Sequence, residues 1–257
     1  MRHISIQLAL ALAFSVGLAA QPASEDMATK NQTARTFSTN TVSTINVKYL
    51  EFLPKGYAAD PGKKWPLMIF LHGAGERGEN LAMVTVHGPP KLVKSNPDFP
   101  FVLLSPQCPS GQVWRDQDIL ALLDHAIATL KVDPARVYLT GLSMGGFGSW
   151  SLAAKYPERF AAVAPICGGG APIEVWLAGG ARAAALKNLP VWAFHGAKDN
   201  VVPLEESRRM ADAFNRIGNP VKLTVYPEAG HDSWTEAYNT QELYGWLLKQ
   251  SRAGAAK

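Results

Sequence analysis

Along the chain, short continuous apolar runs alternate with longer amphipathic stretches. The runs fall at residues 67–71, 101–104, 137–139, 161–166, 191–194 and 223–226. Apart from Thr224 these runs are apolar at every position and have no polar face to give to water, which is the pattern of strands buried on both sides of a parallel sheet. Helical periodicity occupies residues 118–131, 144–156, 205–217 and 236–250, the second ended by Pro157. Residues 44–52 are β-rich, and the Leu53-Pro54-Lys55-Gly56-Tyr57 turn predicts an antiparallel hairpin at the start of the fold. Alternation of this kind predicts one doubly wound, mostly parallel α/β sheet with helices on both faces.

The first residues break the pattern. Arg2 and His3 precede an apolar run to Ala20, then Gln21-Pro22, so residues 1–20 read as a secretory signal peptide. An uncleaved anchor is the alternative, but the run contains Ser5, Gln7 and Ser15 and is marginal for spanning a bilayer. Residues 21–40 read as a flexible lead-in and 41–257 as one catalytic domain, secreted or periplasmic, with no stable membrane insertion once the leader is removed. At 47% apolar and 18% charged the chain is ordinary globular material. Its 25 basic against 21 acidic residues are scattered, with Lys63-Lys64 and Arg208-Arg209 the only adjacent basic pairs, so nucleic acid is not an expected partner. Cys108 and Cys167 are the only cysteines and exclude a disulfide scaffold or a CxxC metal site. They end strands that the usual order separates by two others, so they are expected to be buried thiols.

Strand ends are where chemistry gathers in such sheets. Residues 137–140 run into Gly141-Leu142-Ser143-Met144-Gly145, and a helical pattern follows at once. This is GxSxG in a strand–turn–helix setting, where a tight turn lifts the serine above the sheet and the glycines let strand and helix approach. Serine needs a base, and the base needs an acid to fix its tautomer. Asp199, in His195-Gly196-Ala197-Lys198-Asp199, and His231, in Ala229-Gly230-His231-Asp232, each follow a strand. The order Ser143, Asp199, His231 is that of α/β-hydrolase triads. Asp232 is a poor rival, because it adjoins the histidine and would have to fold back on its ring.

An oxyanion needs two donors. The N–H of Met144 is one, and Ala74 in Leu71-His72-Gly73-Ala74-Gly75-Glu76-Arg77-Gly78 is the choice for the other, with Gly75 next. Glu76 and Arg77 are expected to form an ion pair that props this loop. His72 and His195, each before a glycine, are expected to shape loops through backbone hydrogen bonds. His125 reads as a helix-surface or boundary residue, and His87 carries no usable signal. Trp114 and Trp234 stand where they would wall an acyl or alcohol pocket, or else serve as core or rim residues, whereas Trp150 and Trp192 read as core. The chemistry calls for no metal and no organic cofactor.

The set HGAGERG, SPQCP, VDPARVYLTGLSMGGFGSW, YPERFAAVAPICGGG, HGAKDNVVP and GHDSW resembles the α/β-hydrolase serine esterases over about residues 45–250. Within them it is most similar to the predicted peptidase or phospholipase/carboxylesterase-like group, related to dienelactone hydrolases, polyhydroxybutyrate depolymerases and feruloyl esterases. The resemblance implies the α/β-hydrolase fold and a Ser143, Asp199, His231 triad. It implies hydrolysis of carboxylic esters without fixing the substrate; the preference expected from an uncovered site is for short acyl or hydroxycinnamoyl esters on bulky, polymeric or cell-wall-derived alcohols. A peptidase or acyltransferase would use the same residues, and a non-catalytic relative would be expected to lack one of them. Only the 23 residues 167–189 stand where a lid is usually inserted, too few for a domain with its own core.

Overall fold

A computed structural model describes residues 44–252, so the expected leader at 1–20 and lead-in at 21–40 lie outside the described residues. Seven strands form one sheet: β1 (Tyr49–Phe52), β2 (Trp65–Leu71), β3 (Val102–Pro106), β4 (Val132–Leu142), β5 (Ala162–Ile166), β6 (Trp192–Gly196) and β7 (Lys222–Tyr226). Their order is β1-β3-β2-β4-β5-β6-β7, and every pairing is parallel except β1 with β3. The helices are α1 (Gly88–Leu92), α2 (Asp116–Thr129), α3 (Met144–Lys155), α4 (Pro172–Trp176), α5 (Gly180–Asn188), α6 (Glu205–Arg216), α7 (Trp234–Asn239) and α8 (Gln241–Leu248). Among the described residues no helix is long and apolar enough to cross a membrane.

The continuous apolar runs explain the layering. Leu67, Ile69 and Leu71 of β2 point into a core closed by α2, α3 and α6 through Ile119, Leu123, Trp150 and Phe214. Met68 and Phe70 point the other way, into a second core with Tyr238, Leu243 and Leu247 of α7 and α8. A strand with period-two side chains and a core on each face has no position for a polar residue. Trp150 and Trp192 are both core residues, as expected.

Three expectations are corrected. No hairpin joins β1 to β2. β1 pairs antiparallel with β3 at the sheet edge, because β2 is fully buried and lies between β3 and β4, while β1 carries an exposed Glu51 that suits an edge. The helix expected over 118–131 stops at Thr129, since Val132 already pairs with Trp65 and begins β4. The last helix is two, broken at Thr240, whose backbone is extended at φ −77°, ψ 108°. The segment between β5 and β6 forms α4 and α5 only. Cys108 and Cys167 are buried free thiols.

Candidate active site

Ser143 sits between β4 and α3 with φ 51° and ψ −117°, a backbone region costly for a residue with a Cβ. Two glycines permit that turn. A Cβ on Gly141 would lie 2.4 Å from the Gly145 carbonyl oxygen, and one on Gly145 would lie 1.9 Å from the carbonyl oxygen of Leu71. Strand and helix therefore touch backbone to backbone, and the serine is the residue left standing above the contact.

From Ser143 a line of hydrogen bonds runs across three strand ends. The hydroxyl donates to His231 Nε2 at 2.9 Å, and His231 Nδ1–H donates to Asp199 Oδ2 at 2.7 Å. Asp199 Oδ1 accepts from the N–H groups of Val201 and Val202, both at 2.9 Å. Burial of this carboxyl works to raise its pKa, but the bond from His231 and the two backbone N–H groups outweigh it and hold the pKa below the ordinary carboxylate value. Asp199, not the exposed Asp232, meets the histidine. Met144 opens α3 and Ala74 opens a short 3₁₀ turn, so each N–H stands at a helical start without a partner inside its own turn.

Trp114 lines a cavity of about 520 Å³ together with Val113, Ser143, Met144, Phe147 and Ala171. Its indole Nε1–H donates to the His72 carbonyl at 3.0 Å, which fixes the ring at the cavity wall. Trp234 does not line this cavity. Its ring packs edge-on against His231, 5.2 Å between centroids, and lies 5.3 Å from His87. Glu76 and Arg77 do not pair. Arg77 instead donates to the carbonyls of Ala74 and Gln112, and the buried Glu76 carboxylate turns toward His72 and His87, 4.0 and 3.8 Å away. A 3₁₀ turn sends adjacent side chains in different directions, which is why neighbours in sequence are not neighbours here. His125 is exposed on α2.

Sequence reasoning missed Phe147, His87 and Cys167. The first two carry no local signal. Cys167 has φ 39° and places its sulfur within 4.8 Å of ligand atoms on Asp199 and His231. This trio is a poor metal centre: burial pushes the Cys167 thiol up to about 12, and the other two groups are bonded to each other.

His72 and His195 do shape their loops. His72 Nδ1–H donates to the Gly73 carbonyl and Nε2 accepts from Cys108 N–H, a pair of bonds only the neutral ring can make. His195 Nε2–H donates to the Val202 carbonyl at 2.9 Å and lies 3.3 Å from Asp199 Oδ2, while its Nδ1 and the Gly168 carbonyl compete for the Ser207 hydroxyl proton. Burial lowers both pKa values below the ordinary 6.5, against the opposing pull of these backbone bonds and of Glu76 or Asp199. Below that pH the unfolded chain binds protons that the folded protein refuses, so stability falls as pH drops from 6.5 toward each folded pKa. Each group contributes a slope of up to about 1.4 kcal/mol per pH unit. Urea midpoints should therefore decline between pH 7 and pH 5, and a flat series would show that the two rings are not held neutral.

Residues 108–243, more than half of the chain and including Ser143, Asp199 and His231, match the family model described as the dienelactone hydrolase family. The chain belongs to the dienelactone hydrolase family. This family member is 32% identical over 139 residues to poly(3-hydroxyalkanoate) depolymerase C of Paucimonas lemoignei, covering 48% of this chain and 32% of the other. It is 35% identical over 132 residues to a protein of Methylorubrum extorquens that carries the name carboxymethylenebutenolidase, covering 48% and 42%. A solved structure of a thermostable esterase matches with TM-score 0.66 and 33% identity, over 80% of this chain and 60% of that one. The chain thus spans less than two thirds of each of these three proteins. A ferulic acid esterase, TM-score 0.61 at 21% identity over 77% and 89% of the two chains, shares the fold.

Proposed function

We propose that this dienelactone hydrolase family member cleaves carboxylic esters through an acyl-enzyme on Ser143. The observation that carries the reading is the continuous line Ser143 Oγ, His231, Asp199 Oδ2 at a strained turn, with bonds of 2.9 and 2.7 Å. Ser143 Oγ attacks the ester carbonyl carbon and its proton passes to His231 Nε2. Asp199 holds the ring with Nε2 free to accept and stabilises the imidazolium. The N–H groups of Met144 and Ala74 receive the developing oxyanion. Collapse breaks the bond to the alkoxide oxygen, which takes the proton from His231 as the alcohol leaves. Water then repeats the sequence on the acyl-enzyme and releases the acid.

The cavity beside Ser143 supports an acyl site, since it contains Ser143 and Met144 but not His231. Its volume lies within the range of small-ligand pockets, roughly 300 to 1,000 Å³. The relatives' names, a polyester depolymerase and an esterase among them, support an ester rather than an amide substrate. Because only α4 and α5 stand between β5 and β6, little apolar wall is available for a long chain. Short acyl or hydroxycinnamoyl esters of bulky or polymeric alcohols fit best. In a panel of p-nitrophenyl esters, kcat/KM should peak from acetyl to butyryl, with no rise in rate above the micellar concentration and little cleavage of peptides. Efficient hydrolysis of unactivated peptide amides would replace this reading by a peptidase.

A further inference from the structure

We propose that Ser151 is the specificity-determining residue of the acyl cavity, where it accepts a hydrogen bond from a hydroxyl at the far end of the acyl group. The acyl class it selects is the para-hydroxylated aryl acrylate. This rests on the ester-hydrolase reading above and adds which feature of the acyl group the cavity measures. Helix α3 sets the direction: Met144, Phe147, Gly148 and Ser151 are spaced i, i+3, i+4 and i+7 on one helix face, and all four line the cavity that also holds Ser143. From Ser143 to Ser151 the helix rises roughly 12 Å, at ~1.5 Å per residue. The partly accessible Ser151 is therefore the far end of a slot that starts at the nucleophile.

Between the two serines the lining is apolar and aromatic. Trp114, from the segment after β3, lies against Gly148, where an added Cβ would meet its Cβ and Cδ1 at 3.1 and 3.2 Å. Phe147 leans on the segment after β5, its Cε1 3.0 Å from a Cβ built on Gly169. Both glycines leave room for the rings, and two rings at one cavity suit a flat aromatic guest. At the far end the surface turns polar. Ser151 Oγ–H donates to Asp116 Oδ2 at 3.1 Å, and Lys155 Nζ donates to the same oxygen at 2.9 Å. The Ser151 proton is therefore committed, and what its oxygen has left for a guest is lone pairs. Donation to a carboxylate also makes that oxygen a better acceptor. The guest must thus bring an O–H to this end. Length selects it further. A para-hydroxycinnamoyl group runs about 8 Å from carbonyl carbon to phenol oxygen, at ~1.2 Å per bond of an extended chain. A hydrogen bond of about 2.8 Å to Ser151 and the new bond to Ser143 Oγ complete the span. An acetyl or butyryl chain stops short of Ser151.

The test compares methyl 4-hydroxycinnamate with methyl 4-methoxycinnamate at pH 7, where a phenol keeps its proton. These esters share the ring and its electron donation to the carbonyl and differ in the O–H. Methyl cinnamate is the third substrate, smaller than both, so a preference over it cannot come from a clash. The wild-type protein should favour the hydroxy ester over each of the others by about fivefold or more in kcat/KM, the scale of one hydrogen bond. Ser151→Ala should bring both ratios to near one, and alanine is the best helix former, so α3 is not at risk. Wild-type ratios near one, ratios unchanged in Ser151→Ala, or refusal of all three cinnamates by a protein that hydrolyses p-nitrophenyl acetate overturns the subsite. If p-nitrophenyl acetate itself is not hydrolysed, or is hydrolysed equally by Ser143→Ala, the ester-hydrolase reading fails and the subsite with it.

Discussion

Ser143→Ala and His231→Ala are each expected to lower kcat on p-nitrophenyl acetate by about 10⁶-fold, and the double substitution to cost little more than either alone. Neither group has a use without the other: the hydroxyl is a poor nucleophile until Nε2, 2.9 Å away, takes its proton, and that proton acceptor has no other nucleophile to serve. Asp199→Asn is expected to cost less, about 10⁴-fold, because the amide can still hold the ring but offers an N–H where the imidazole needs an acceptor. Its effect should persist at all pH values above the lowered pKa of Asp199, since over that range the carboxylate is ionised in the native protein. Single-turnover kinetics with the three single variants and the double variant measure these losses. Additive losses would show that Ser143 and His231 act independently, and labelling of another serine by a fluorophosphonate would move the nucleophile.

The positions of these three residues are legible in the sequence because each is announced locally. Ser143, Asp199 and His231 all follow apolar strand runs and stand among small residues, and strands of one parallel sheet deliver their ends to one edge. Trp114 and Trp234 are legible only as candidates, equally compatible with a pocket wall and with a core or rim place, and it is the packing that puts Trp114 alone at the cavity. What local pattern cannot carry is pairing across the chain. β1 contains nothing that selects β3 over β2, because that choice is made by competition for the flanks of β2. Glu76 is adjacent to Arg77 in sequence, yet the turn aims it at His87. Ser207 reaches His195 and Gly168 from a helix whose own periodicity reads only as amphipathic. The break at Thr240 escapes for a different reason: the polar Asn239-Thr240-Gln241 is compatible with a continuous helix, and only the docking of Tyr238 and Leu243 on the same core decides against one.

Gly145→Ala should be among the most damaging single-methyl changes in the protein. The added carbon would lie 1.9, 2.5 and 2.8 Å from the Leu71 carbonyl oxygen, the Leu71 carbonyl carbon and the His72 carbonyl oxygen, all main-chain atoms at the end of β2. A flexible side chain could turn away from such a contact, but β2 is held by β3 and β4 on its edges and by a core on each face. The helix must therefore yield, and α3 carries Ser143 at its start. Overpacking of this severity costs about 3 kcal/mol, which for a domain of this size lowers Tm by roughly 6 to 12 °C. A displacement of Ser143 by even about 1 Å from the reach of His231 would cost a further ~100-fold in kcat/KM. Gly245→Ala is the matched control, because its Cβ would meet nothing within 4 Å and the residue stands exposed inside α8. There the same methyl should raise stability by about 0.5 to 1 kcal/mol through helix propensity alone. Thermal melts and p-nitrophenyl acetate kinetics on the two variants read both effects. If Gly145→Ala keeps wild-type stability and rate, the backbone contact between α3 and β2 does not set the position of the nucleophile.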